Sequence, residues 1–218
     1  MNLLDDVVWR MVLGWAHSQI IGAAWFGTPC DTWTRARRAP PESRMPGPLR
    51  SSEHLYGLPG LSASGRRKAQ EANMISARAS HLQAVLLRQS VPFGEENPAT
   101  SMLWLRPDRE NIRHEAHIYF VDYCAFGRPF RGRTQLRLFN CIWSPELARA
   151  RCSGRGTCSF SGRLHETLSG RGKSGFHTSR KNSYPEGLCD VLALILQNGL
   201  LRKKVASLWS TFRAIPTS

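Results

Sequence analysis

Three short stretches of this 218-residue chain carry side chains able to act on a substrate: "GTPCDTW" at 27–33, "EENP" at 95–98 and "FGRPFRGRT" at 126–134. In each, an apolar run gives way to a turn that presents a reactive group. Cys30 brings a thiol, a nucleophile once deprotonated. Glu96, followed by Asn97 and Pro98, brings a carboxyl group able to pass a proton. Arg131 and Arg133 bring guanidinium groups that stabilise developing negative charge. Open α/β sheets place ligands beyond the carboxyl ends of their strands, so a thiol, an acid and a guanidinium at such ends form a candidate active site. Plainer readings stand beside each. A free cysteine is often a small buried hydrophobe, "ENPATS" reads as a helix entry with proline near its first position, and paired arginines suit a solvated face.

The elements that must hold these groups can be read from periodicity. Residues 3–17 suit a helix with Leu4, Val8, Met11 and Trp15 on one face. "QIIGAAWF" reads as a buried strand ending in the "GTPC" break. A Pro-, Arg-, Gly- and Ser-rich stretch at 35–64 is a long loop, and a helix over 65–89 carries Ile75, Ala79, Leu82 and Leu86 as its stripe. "SVPFGEENP" is a second strand, "ATSMLWLR" a short helix stopped by Pro107, and "AHIYFVDYCAFG" a third strand and turn. Residues 128–180 are Gly-, Arg- and Ser-rich, and 184–212 read as a helix with a basic extension, broken near Asn198-Gly199. Strands alternating with helices predict an α/β fold with a parallel or mostly parallel sheet and crossover helices. The expected organisation is a core over 1–136, an irregular basic segment over 137–182 and a helical segment over 183–218.

Lys and Arg outnumber Asp and Glu by 30 to 16, a net charge of +14. That excess points to a polyanionic partner, nucleic acid first among them. Arg35, Arg37, Arg38 and Arg50 in the long loop, and the basic stretch 149–181, are the candidate phosphate contacts. Residues 11–27 lack formal charge, but Gly14, His17, Ser18, Gln19 and Gly22 dilute them, so a buried helix and strand are expected rather than a membrane span. Six scattered cysteines read as those of a reduced, intracellular protein rather than a disulfide scaffold. Cys152, Cys158 and His165 in "CSGRGTCSFSGRLH" hint at a metal. Their spacing matches no common zinc signature and a fourth ligand is not evident, so no metal is assigned. "SGRGKSG" at 169–175 lacks the spacing and the preceding strand of a phosphate loop.

Taken in order, "PCDTW", "ENP" and "FGRPFRGRT" resemble the fourth, sixth and eighth motifs of the cytosine-5 DNA methyltransferases. With "LRSSEHLYGLPGLS" and the "YPEGLC" helix, the chain is similar to the divergent members carried by phages and mobile elements, over roughly 20–196. The resemblance implies a partial Rossmann-like methyltransferase sheet with a Gly/Arg-rich C-terminal extension. It implies methyl transfer from S-adenosylmethionine to carbon 5 of a flipped cytosine, in the nucleus or nucleoid. In that chemistry the Cys30 thiolate adds to carbon 6, Glu96 protonates ring nitrogen 3, Asn97 orients the loop, and Arg131, then Arg133, stabilises the carbonyl oxygen. The family's Gly-rich cofactor loop has no counterpart, the eighth-motif glutamine is replaced, and Asp31 stands where glutamine commonly follows the cysteine. The chain is therefore expected to begin just before the fourth motif, with a second polypeptide supplying the missing cofactor half and 138–180 serving as a reduced target-recognition region. Two alternatives from other classes are a non-catalytic basic nucleic-acid-binding protein and a metal-stabilised structural protein.

Overall fold

A computed structural model describes residues 2–34, 47–168, 171–172, 175–176 and 183–213. Helix α1 (Asp6–His17) starts at Asp5, whose carboxylate accepts the Val7 and Val8 N–H groups and so satisfies two donors that no helical carbonyl can reach. Its buried face is Val12 and Ala16, flanked by Val8, Trp9 and Leu13. The predicted stripe was rotated, since Met11 and Trp15 are each about two-fifths exposed. What α1 packs against is the long helix α2 (Ala63–Arg88), whose Leu82, Val85 and Leu86 form the other half of that core.

Four strands make one sheet in the order β1 (Ala24–Phe26), β2 (Phe93–Pro98), β4 (Arg133–Phe139), β3 (Ala116–Asp122). β1 and β2 are parallel, whereas β4 runs antiparallel to both β2 and β3. The sheet is mixed rather than parallel, because β3 and β4 are joined by a 3-10 turn (Tyr123–Phe126) and a loop, with no crossover helix between them. β4 was not anticipated, since "RTQLRLF" carries Arg and Gln where a strand face normally meets solvent. Here both faces are covered. Leu136 and Leu138 enter one core, while Arg137 lies under Trp104, 4.6 Å from its ring centroid, and donates to the carbonyl of Arg109 in the short helix α3 (Pro107–Glu110).

The two cores lie on opposite faces of the sheet. Phe93 and Phe139 stack at 4.5 Å on the α1–α2 side. Tyr119, Val121, Leu136 and Leu138 meet Leu147 of α4 (Pro145–Arg149) and Leu188, Leu192 and Ile195 of α5 (Glu186–Arg213) on the other. β4 spans residue 136, and α5 completes a core that β3 and β4 begin. Among the described residues no helix is long and apolar enough to cross a membrane.

α5 continues through Asn198-Gly199, where the sequence suggested a break. Gly199 is buried, and a Cβ there would lie 2.7 Å from Pro92 Cβ and 3.1 Å from the Asn140 carbonyl oxygen. The glycine lets the helix approach the turn before β2. Gly199→Ala would gain about 1 kcal/mol in helix propensity. It is nevertheless expected to destabilise the protein by about 1–3 kcal/mol through overpacking, read by denaturant unfolding.

Candidate active site at the carboxyl edge of the sheet

β1, β2 and β3 point the same way, so their carboxyl ends share one edge, and β4 starts there. This edge gathers Cys30 after β1, Glu96 and Asn97 at the end of β2, Asp122 and Tyr123 at the end of β3, and Arg131 and Arg133 at the start of β4. The strand-end reading of the three motifs therefore describes one place in the fold.

The turn bearing Cys30 is stitched to β2 on one face. The Asn97 amide donates to the Thr28 carbonyl at 2.7 Å, and the Thr28 hydroxyl donates to Glu95 at 3.1 Å. Glu95 in turn meets Arg109 at 2.8 Å, with both side chains essentially inaccessible to solvent. Arg109 also reaches Ser80 and the Ser76 carbonyl of α2, and Asp108 at 3.1 Å. Sequence reading noticed Asn97 but neither Glu95 nor Arg109. The doubled acid in "EENP" was the available signal, because strand alternation sends neighbouring glutamates to opposite faces.

Glu96 points to the other face. Its carboxylate accepts from the Tyr184 hydroxyl at 3.1 Å and from the Thr134 hydroxyl, and the Trp25 indole N–H donates to Tyr184 at 3.4 Å. Cys30 is half-buried beside the same group: Tyr123 and Tyr184 both sense it as well as Glu96. Burial, then the nearby Glu96, pushes both phenols well above the ordinary tyrosine range. Both tyrosines therefore stay neutral donors at any physiological pH. Tyr184 belongs to the "YPEGLC" stretch, yet nothing in its local sequence marks it as a partner of Glu96, 88 residues away.

Arg131 and Arg133 converge on Asp122. Arg133 grips it with two hydrogen bonds of 3.0 and 2.9 Å, and Arg131 approaches at 3.4 Å while donating to the Cys152 carbonyl at 2.5 Å. Burial favours a neutral Asp122, but Arg133, the Cys152 N–H and Arg131 outweigh it and hold the carboxyl below its usual range. Each arginine side chain stays about one-third exposed, so the pair remains open to a ligand.

Of the predicted phosphate contacts, Arg35, Arg37 and Arg38 lie outside the described residues. Arg50 is not at the surface: it is 2% exposed and lies 3.5 Å from the Trp33 ring centroid. Its guanidinium donates to Thr32, Asn73 and the carbonyls of Leu55 and Ala69. Burial, then the neighbouring Arg106, lowers it to about 10. Arg50 thus braces the segment after Cys30 against α2. Cys152, Cys158 and His165 lie behind Asp122, with Cys124 added from the turn after β3.

The described strand ends do not fit S-adenosylmethionine. None turns into a helix through a Gly-rich loop, and each buried carboxylate at this edge is engaged within the chain: Glu95 by Arg109, Glu96 by Tyr184 and Thr134, Asp122 by the two arginines. Compared with protein-family models, curated proteins and solved structures, the chain matches none.

If the Asn97 amide positions the Cys30 turn, Asn97→Ala should cost about 1–3 kcal/mol of stability by leaving buried polar groups unpaired. Iodoacetamide should alkylate Cys30 faster in that variant than in the wild type, a rate followed by peptide mass spectrometry.

Proposed function

We propose that this chain is the base-modifying half of a cytosine-5 DNA methyltransferase-like enzyme, with a Rossmann-like ancestry for its sheet. The observation that carries the reading is the single edge shared by Cys30, Glu96 and the Asp122-anchored arginines. In the proposed step, a cytosine flipped out of the duplex enters between Cys30 and Glu96. The Cys30 thiol gives its proton to solvent and its sulfur bonds to carbon 6. The carbon 5–carbon 6 π pair becomes a carbon 4–carbon 5 double bond, the carbon 4–nitrogen 3 π pair moves onto nitrogen 3, and nitrogen 3 takes the proton of a protonated Glu96 carboxyl. The base edge takes the place Tyr184 holds on Glu96, and Arg131 or Arg133 faces the carbonyl oxygen as charge grows there. Reversal expels the thiolate and returns the proton.

Because the described residues do not fit the methyl donor, the donor and a nucleoid or nuclear setting are assigned to a complex with a second polypeptide. This chain's own part is addition to the base. DNA binding rests on the net charge of +14 and on exposed Arg149, Arg151, Arg155 and Arg163, in the segment that follows β4.

The same arginines favour a second reading, a basic nucleic-acid-binding protein without catalysis. The two part company at Cys30. A duplex carrying 5-azacytosine, which traps thiolate addition without a methyl donor, should form an adduct stable to denaturing electrophoresis with the wild-type chain. Cys30→Ser should form none while binding DNA with unchanged affinity and salt dependence. Binding without adduct in both proteins would leave the second reading.

A further inference from the structure

Behind the arginine pair the fold brings three side chains of one loop together with a fourth from the turn after β3. Cys124 follows β3, Cys152 follows α4, and Cys158 and His165 lie in the next segment; their ligand atoms all fall within 4.8 Å of one another. Three cysteines and one histidine are a common closed set for a structural zinc. A tetrahedral zinc with ordinary bond lengths separates two sulfurs by about 3.8 Å and a sulfur from a nitrogen by about 3.6 Å. Cys152 Sγ and His165 Nε2 are 3.7 Å apart.

The loop between these ligands buries little of itself against the protein, although polar bonds at its two ends, such as Glu166 N–H to the Pro129 carbonyl at 2.9 Å, tie it down. From 151 to 167 only Cys152 and Cys158 are buried, and its large apolar residues, Phe160 and Leu164, are 47% and 78% exposed. The loop is nonetheless regular. Cys158 N–H donates to the Arg163 carbonyl at 2.7 Å, Thr157 bridges to Leu164, and His165 N–H donates to the Gly156 carbonyl at 3.0 Å. At Gly154 a Cβ would lie 1.8 Å from the Thr157 carbonyl oxygen, so only glycine permits the turn that returns Cys158 towards Cys152. A segment that buries so little apolar surface needs a staple, and a metal is the usual one.

The sulfurs are also solvated as metal-bound thiolates are. Ser159 gives Cys152 Sγ both its N–H and its hydroxyl at 3.4 Å, and the Phe160 and Ser161 N–H groups serve Cys158. Such donors around a thiolate are the outer shell that tunes and orients a metal ligand.

We propose that Cys124, Cys152, Cys158 and His165 bind one structural zinc ion, which pins the 152–165 loop to the end of β3. The fourth ligand eluded sequence reading because Cys124 stands 28 positions before Cys152, inside an apolar strand-and-turn stretch. The site would also fix the arginines: the Cys152 carbonyl accepts from Arg131, and the Cys152 N–H donates to Asp122 at 2.8 Å. The ion needs no open coordination position, so its role is mechanical.

The test uses the full chain, purified under reducing conditions from zinc-supplemented cells and also refolded with cobalt(II) alone. One zinc per chain by elemental analysis, and a cobalt derivative with intense visible d–d bands and a thiolate charge-transfer band, would establish the site. Cys158→Ser and His165→Ala should each lose the stoichiometric metal, Cys189→Ser should keep it, and Ser159→Ala should bind about tenfold more weakly. Chelation should open the loop to trypsin at Arg155 and Arg163 before the rest of the chain is cut. A chain that takes up neither zinc nor cobalt, a disulfide among the three cysteines under reductant, or metal retained by both ligand variants would overturn the proposal. The cobalt spectrum of the wild type decides the matter even if a ligand variant fails to fold. None of these readouts depends on the proposed reaction at Cys30.

Discussion

The ion pair between Glu95 and Arg109 is the interaction on which the edge of this sheet depends. Both groups are out of water, and two isolated charges there would cost far more than the fold could offset. The pair survives because it is embedded: Thr28 donates to Glu95, and Arg109 spans Ser80, Ser76 and Asp108. One carboxylate thus ties the end of β1, the end of β2, helix α2 and the short helix at Pro107–Glu110 into one polar unit. The neighbouring Glu96 faces the other way only because its strand position is fixed. A buried polar network of this kind favours one register over its alternatives, since slipping β2 by one residue would exchange the two glutamates between faces.

A division of labour among the arginines follows from the same logic. Arg50, Arg106, Arg109 and Arg137 are buried and engaged with rings, carbonyls or acids. They spend part of the positive excess on architecture. Arg131 and Arg133 are intermediate, held by Asp122 yet one-third exposed. Arg149, Arg151, Arg155 and Arg163 face solvent. Among the described residues these arginines form three populations, and only the last two are available to a polyanion. Counting Arg50 among the phosphate contacts overlooked the first population, because a sequence shows charge but not the Trp33 ring that covers it.

What the sequence made legible was local. The helices at 6–17 and 63–88, the strand ends after Phe26 and Pro98, and the turn after Asp122 follow from periodicity and turn chemistry. What it concealed was tertiary. β4 looks polar because its arginine and glutamine are buried by partners remote in the chain, and Gly199 looks like a helix break because its need for contact with Pro92 is invisible locally. The face of α1 was displaced because the choice among several apolar residues falls to α2. At the site, Cys30, Glu96 and Asn97 could be named from motifs, while Tyr184, Asp122 and Cys124 acquire meaning only from the partners that folding brings to them.

In the proposed reaction Cys30 and Glu96 act together on a pyrimidine ring. Reversible addition at carbon 6 makes carbon 5 basic enough to exchange its hydrogen with solvent, with no methyl donor required. The most direct measurement is the exchange of the carbon 5 hydrogen of cytosine in duplex DNA incubated with the protein in deuterium oxide, read by mass spectrometry of the released nucleosides. Deuterium incorporation is expected with the wild-type chain, and its loss in both Cys30→Ser and Glu96→Gln. Saturated DNA binding with no incorporation above the protein-free rate would contradict the proposed reaction.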